Sequence, residues 1–292
     1  MLDFVGLDAA RLGLAGPRMS FERAGEAGPP VLLLHGIGAN AMGWAAILEG
    51  LAPVARVVAW NAPGYFLSDP FLAEAPPPEA YADVAVALLD ALGLDAPAHV
   101  VGSSFGSMIA ACLAARHPAR CVTLTLLGTS RGQRWKTPEQ RAAMLRMRAE
   151  SIADGGVALA RSRSHVLVAP GSPALPAVQR MVAATHAGGL LQAARCTDGV
   201  DVVEDFAPHI RCPTLCVTGA LDAVNPPEVG RAVAASIAGA TYEEPAGIGH
   251  LPEMESPSLV LDRLKKGMRG HATFLICSSS PKPQPPGGAM NQ

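Results

Sequence analysis

The stretch VVGSSFGSMIAA, Val100 to Ala111, holds three serines within five residues, and LGTSRG, Leu127 to Gly132, holds another. Both contain G-x-S-x-G, centred on Ser104 and on Ser130. A serine in that pattern is a candidate nucleophile when a strand precedes it, a tight turn strains it and a helix follows at once. The neighbouring backbone crowds such a turn, so the flanking residues must be small. The helix N-terminus then favours negative charge developing beside it. Around Ser104, AHVV reads as strand, Gly102 and Gly106 stand two positions to either side, and MIAACLAA reads as helix. After Ser130 comes RGQRWKTP, where no helix can start before about Thr137, and Arg131 is bulky for a crowded turn. Ser104 is therefore the nucleophile candidate, and Ser130 reads as a strand-to-loop exit. Taken alone, GSSFG is equally explained as a Gly/Ser turn at a strand end.

A serine needs a base, and the base needs an orienting acid. Of eight histidines, His250 in GIGHLPEMESP follows the last strand-like run and precedes the last helix. That is the sheet edge where open α/β proteins hold their sites, although a lone loop histidine is more often surface decoration. Asp222 in TGALDAVNPPE directly follows the strand TLCVTG; a loop aspartate before Asn-Pro-Pro also suits a turn or cap. Jointly the three run Ser, Asp, His in chain order, each just past a strand, which is the order of one triad-bearing fold. The chemistry would be acyl transfer. Its oxyanion needs preorganised backbone N–H donors. The N–H of Phe105, after the nucleophile, and that of Ile37 in HGIG (His35 to Gly38) are the candidates.

The elements that must hold these residues alternate. VLLLHG and RVVAW read as strands buried on both faces, AMGWAAILEGLA and PEAYADVAVALLDALGL as helices, then AHVVG, GSMIAACLAARHP and CVTLTLLG as strand, helix and strand. RMSFERAG is a short strand candidate. This order predicts an α/β fold with a mostly parallel central sheet flanked by helices. The alternation lapses from Gln133 to about Asp205, where the patterns are helical and SHVLVAPG is ambiguous, then resumes with TLCVTG, PPEVGRAVAASIAG, ATYEEP and SPSLVLDRLKKGMRG. The expected domains are a first core part at 1–130, a helical insertion at 131–205, a second core part at 206–270, and a disordered Pro/Ser-rich tail at 271–292.

Bulk properties narrow the classes. The chain has 292 residues, 49% hydrophobic and 16% charged, with net charge −2, so it can bury a large core and offers no electrostatic case for nucleic acid or an anionic membrane. Six cysteines show no zinc spacing and read as free thiols, with Cys212 and Cys216 held apart by a strand-like run. The first residues lack a signal-peptide pattern and no apolar run reaches 18 residues, so the expected location is the cytoplasm. A homo-oligomer is compatible with the sequence.

With these parts in place, the chain resembles the α/β-hydrolase fold family from about Ser20 to Gly270, through HGIG, GSSFGS, GALDAVNPPE and GIGHLPEMESP in order, with WNAPGY resembling the family's D-x-P-G-x-G turn. The resemblance implies Ser104 as nucleophile, Asp222 as acid, His250 as base and a cap over the site. Asn61 and Phe66 depart from the turn's usual Asp and Gly, and Ser107 stands where many relatives have a third glycine, which suggests looser helix packing. Serine rather than aspartate at the elbow argues against haloalkane dehalogenase or epoxide hydrolase chemistry. The capped layout is most similar to 3-oxoadipate enol-lactonase-like hydrolases, implying hydrolysis of a small ester or lactone without metal or organic cofactor. Carbon–carbon hydrolysis of a diketone-type substrate by the same triad is the alternative, and a non-catalytic ligand-binding member of the fold a third. Met42, Trp135, Met144, His165 and His186 are candidate pocket walls that core packing explains equally well. Arg131 to Arg163 holds eight Lys/Arg against three acids, which would attract a carboxylate-bearing substrate or form a solvated face.

Overall fold

The apolar runs become the centre of a sheet. Val31 to Leu34 have almost no exposed surface, and burying a side chain of that size contributes about 1.5–3 kcal/mol. The computed structural model describes residues 2–278, with side chains through residue 269. Its strands are β1 (Leu2–Gly6), β2 (Arg18–Ala24), β3 (Pro30–Leu34), β4 (Arg56–Trp60), β5 (Ala98–Ser103), β6 (Cys121–Leu127), β7 (Thr214–Val217) and β8 (Thr241–Glu243). They form one sheet in the order β1-β2-β4-β3-β5-β6-β7-β8. β1 and β2 are antiparallel to their neighbours, and every pair from β4 to β8 is parallel.

Helices cover both faces, as a mostly parallel sheet requires. Pro78–Ala91 and Phe105–Arg116 pack into the core on one face, and Ala45–Leu51 and Pro257–Ser278 on the other. Every residue from Phe105 to Ala114 is buried, which suits a helix that is small and apolar on all sides.

The four longest helices between β6 and β7 are Pro138–Ile152, Gly156–Arg163, Leu175–Ala183 and Ala187–Asp198. The first begins with Thr137 in a capping box with Gln140, where the sequence allows a helix to start. These helices build a small core of their own around Leu159, Val178 and Val182, and Ala39 and Leu251, from the loops past β3 and β8, pack into it. Thr185 Oγ1 donates to Gly38 O at 3.1 Å, and Asn40 Nδ2 to Met181 O at 3.1 Å. The insertion therefore sits over the C-terminal ends of the strands. Its entry and exit meet: Arg131 makes a two-pronged pair with the buried carboxylate of Asp201 at 2.8 and 2.7 Å, and Gly132 bridges Asp201 in antiparallel fashion.

The structure differs from the sequence-based expectations in several places. β1 lies within the N-terminal lead that the patterning leaves out; it is a half-exposed edge strand, with Phe4 51% exposed, so no apolar run marks it. SHVLVAPG contributes a 3₁₀ turn at Ser164–Leu167 rather than a strand. The last helix continues to Ser278, so the boundary set at Gly270 falls inside it. The disorder expected beyond Ser278 lies outside the described residues.

Candidate active site

Ser104 stands between β5 and the helix Phe105–Arg116 with φ 54° and ψ −117°. A non-glycine residue there stores about 1–3 kcal/mol of strain. The surroundings hold it: Ser104 N donates to Leu127 O at 2.9 Å, and Ser107 N closes the first turn onto Ser104 O at 2.9 Å. The glycines on either side are required by space. A Cβ on Gly102 would lie 2.1 Å from Gly106 O, and one on Gly106 would lie 2.0 Å from Leu34 O. Ser107 is 1% exposed. Its hydroxyl donates to Ser104 O at 2.6 Å and accepts from Ser130 N at 2.9 Å. It does not loosen the packing; it ties the two G-x-S-x-G segments together.

The loops after β7 and β8 bring Asp222 and His250 together. His250 Nδ1 bonds Asp222 Oδ2 at 2.8 Å, and the two side chains are 2% and 0% exposed. The other oxygen, Oδ1, accepts from Val224 N and Asn225 N at 2.8 and 2.9 Å. Asp222 is thus both turn former and imidazole partner. Burial disfavours the charged form of His250, but the charge and hydrogen bond of Asp222 outweigh it and raise its pKa above the ordinary value. Glu255 fixes this loop: its carboxylate accepts from Gly249 N at 2.9 Å and from Ala169 N, in the insertion, at 2.8 Å. Asn225 Nδ2 reaches Gly128 O at 2.9 Å and fastens the Asp222 turn to the end of β6.

The HGIG loop is organised by His35. Its Nε2 accepts from Ala62 N at 3.0 Å, so the proton sits on Nδ1, which donates to Gly36 O at 2.9 Å. Burial lowers its pKa to about 4, so it is neutral and structural. In the adjoining turn Asn61 Oδ1 accepts from Ala41 N at 2.8 Å, and Phe66 takes φ 49°, the left-handed conformation that explains why glycine is usual there.

Ser104, His250, Ile37 and Phe105 all line one cavity of about 340 Å³ between the strand ends and the insertion. No Ser104–His250 hydrogen bond is formed among the described residues; in free enzymes that link is commonly long and tightens when substrate binds. The arrangement contains a strained serine, a carboxylate-paired imidazole and two backbone positions for oxyanion donors, the parts needed for acyl transfer. A larger cleft of about 810 Å³ opens at the N-terminal ends of the strands, and its walls carry neither serine nor cysteine.

Residues 29–257 match the alpha/beta hydrolase fold family. The chain belongs to that family. Like its relatives, it is a hydrolase. It is 34% identical over 234 residues to the pimeloyl-[acyl-carrier protein] methyl ester esterase of Chromobacterium violaceum, covering 77% of this chain and 88% of that protein. It is 34% identical over 119 residues to a 2-hydroxy-6-oxononadienedioate/2-hydroxy-6-oxononatrienedioate hydrolase of Dechloromonas aromatica, over 39% of this chain and 41% of that one. Among solved structures, the malate-bound thermophilic esterase of Thermogutta terrifontis superposes with TM-score 0.80 at 25% identity, covering 93% of this chain and 99% of that one. The enol-lactonase of Burkholderia xenovorans LB400 shares the fold, with TM-score 0.76 at 23% identity, over 88% and 98% of the two chains.

In this hydrolase only Met144 of the five candidate pocket residues reaches the cavity. Met42 is 39% exposed. Trp135 is 43% exposed, flanked by the Arg131 and Lys136 cations at 5.3 and 5.2 Å from its ring. His165 lies exposed on the 3₁₀ turn, and His186 faces a separate groove. The sequence reading missed Met147, Arg148 and Ser151, which share a helix face with Met144 at spacings of three, four and seven, and Arg163 on the next helix. Arg148 is half-buried. Its Nη1 donates to Thr197 Oγ1 at 2.9 Å, and no carboxylate pairs with it among the described residues. The cavity wall includes both Arg148 and Arg163 and no acidic residue. Arg131, Arg134 and Arg141 are paired with Asp201, with Glu204 and Asp205, and with Asp198. Three of the segment's outward cations are therefore paired with acids, while Arg148 and Arg163 form a cationic wall inside.

No helix among the described residues is long and apolar enough to cross a membrane.

Proposed function

We propose that the chain is a serine hydrolase that opens a small carboxylate-bearing ester or lactone through an acyl-enzyme, in the manner of enol-lactonase-like hydrolases. The observation that carries this reading is the buried His250–Asp222 pair sharing a cavity with the strained Ser104 and an acid-free wall containing Arg148 and Arg163. His250 takes the Ser104 proton as the hydroxyl attacks the carbonyl. The Ile37 and Phe105 N–H groups hold the oxyanion. The alcohol leaves with the proton from His250, which then activates water for deacylation. Asp222 keeps the imidazole proton on Nδ1 and stabilises the imidazolium. The insertion acts as a cap, and its two guanidiniums receive the substrate carboxylate, since a half-buried guanidinium with no carboxylate partner is a ready two-pronged donor to an anion.

The test is a panel pairing monomethyl esters of dicarboxylic acids with neutral methyl esters of equal length, together with enol-lactones. Ser104→Ala is expected to abolish turnover and retain the fold; full activity would overturn the assignment. Ser130→Ala keeps most activity, and a loss matching Ser104→Ala would identify the wrong serine. Arg148→Leu raises KM at least tenfold for the anionic esters and leaves the neutral ones little changed. Equal effects on both series would remove the carboxylate from the proposal. The likeness to the dienedioate hydrolase favours one second reading, carbon–carbon hydrolysis, and a diketone-type acid in the same panel distinguishes it.

A further inference from the structure

Five of the six cysteines lie among the residues whose side chains are described, all as free thiols, as the sequence suggests. Two of them, 91 positions apart in sequence, meet in the fold. Cys121 opens β6 and Cys212 lies just before β7, and their Sγ atoms are 3.6 Å apart. The register explains the meeting. Leu124 stands beside Thr214 in the parallel pair, so stepping back two residues sets Cys212 next to Val122, one residue from Cys121.

We propose that Cys121 and Cys212 are a reversible thiol–disulfide site. Closing the sulfurs from contact to bonding distance, about 2.05 Å, takes a small movement of each side chain. Cys212 is the reactive partner. It is half-buried where Cys121 is only 6% exposed, so it is the sulfur of the pair that an oxidant reaches first. The hydrogen bond from Cys121 lowers the Cys212 pKa, with Thr214 Oγ1 nearby, while Cys121 keeps its proton. Cys112, Cys196 and Cys216 are buried with raised pKa values and stay inert.

The oxidant is a hydroperoxide. The Cys212 thiolate attacks the O–O bond, taking one oxygen as a sulfenic acid, and the leaving oxygen departs as water or alcohol after gaining a proton. The Cys121 sulfur then loses its proton and displaces the hydroxyl from Cys212 as water. Two thiols lose two electrons and two protons, and one peroxide bond is reduced. The closed loop contains the whole helical insertion, so the bond would join the two core parts at the sheet edge opposite Ser104.

The experiment uses the full chain and hydrogen peroxide, and none of its readouts depends on the hydrolytic assignment. After treatment, the thiol titre of the unfolded chain falls from six to four. A digest yields the Cys121 and Cys212 peptides linked within one chain, and dithiothreitol restores both. Tm rises by up to about 10 °C, because a long loop is closed in the unfolded state. In Cys121→Ser the linked pair is absent, and a sulfenic acid on Cys212 is trapped by a cyclic 1,3-diketone. Cys212→Ser, at a half-buried position, keeps its fold and all its remaining thiols reduced. An unchanged titre, a link between two chains, or peroxide consumed at Cys212 without a link in the unsubstituted chain would overturn the proposal.

Discussion

Three carboxyl groups, Asp222, Glu253 and Glu255, act on His250. Asp222 is held by two backbone donors and the imidazole. Glu253, three residues past the histidine, is 5% exposed, its Oε2 has no protein partner, and burial raises its pKa from 4.5 to about 7. Below pH 4.5 this group is protonated whether folded or not and contributes nothing. As pH rises towards 7 the folded state keeps a proton that the unfolded state has lost, so stability falls, by about 3 kcal/mol once both states are ionised. Glu253→Gln is expected to unfold at higher urea than the unsubstituted chain at pH 8 and at nearly the same urea at pH 4.5. An equal gain at both would show that charge is not the cause. Because ionised Glu253 also raises the His250 pKa, the acid limb of kcat/KM in that variant moves to lower pH. On the proposed mechanism, Asp222→Asn, which removes the partner that fixes the tautomer, is expected to lower kcat about 10⁴-fold. The strand-end placement of Ser104, Asp222 and His250, the proposed triad, was legible because each carries its own local motif. Glu253 was not, since nothing in HLPEME says which of its acids is buried.

Among the elements, the elbow and the first insertion helix are opposite cases. The elbow is specified by contacts within a few residues, so Gly102, Ser104 and Gly106 could be read from their spacing. The role of Ser107 could not, because its partner is Ser130, on the loop after the neighbouring strand β6. Ser107→Ala leaves the buried Ser130 N–H without its acceptor and is expected to cost about 1–3 kcal/mol in chemical unfolding. A neutral result would mean that the loop relaxes to water. In the helix Pro138–Ile152 the start was readable from Thr137-Pro138 and Gln140, but the inward face was not. Most of that helix stays partly exposed and only Ile152 is buried, so no apolar stripe separates inside from outside. Met144 was selected without Arg148, one turn further along the same face.

At the scale of the whole molecule, the parallel centre of the sheet was readable because its strands are continuous apolar runs, whereas β1 is a half-exposed edge that pairing with β2 alone defines. The large insertion rests on a narrow base, the Arg131–Asp201 pair and the adjoining bridge at Gly132. Asp201→Ala leaves Arg131 without its carboxylate and is expected to cost about 2–4 kcal/mol. Limited proteolysis should cut within 138–198 sooner than in the unsubstituted chain. An unaltered cleavage pattern would show that packing against the strand-end loops suffices. A base of this kind separates two design problems. The proposed nucleophile, base and acid belong to the core, and the guanidiniums proposed to receive the substrate belong to the segment mounted on it. Exchanging residues 131–201 as a cassette, with the Arg–Asp pair kept at its two ends and the Ala169–Glu255 and Thr185–Gly38 contacts preserved, would redirect which acids are admitted while the core beneath keeps its arrangement.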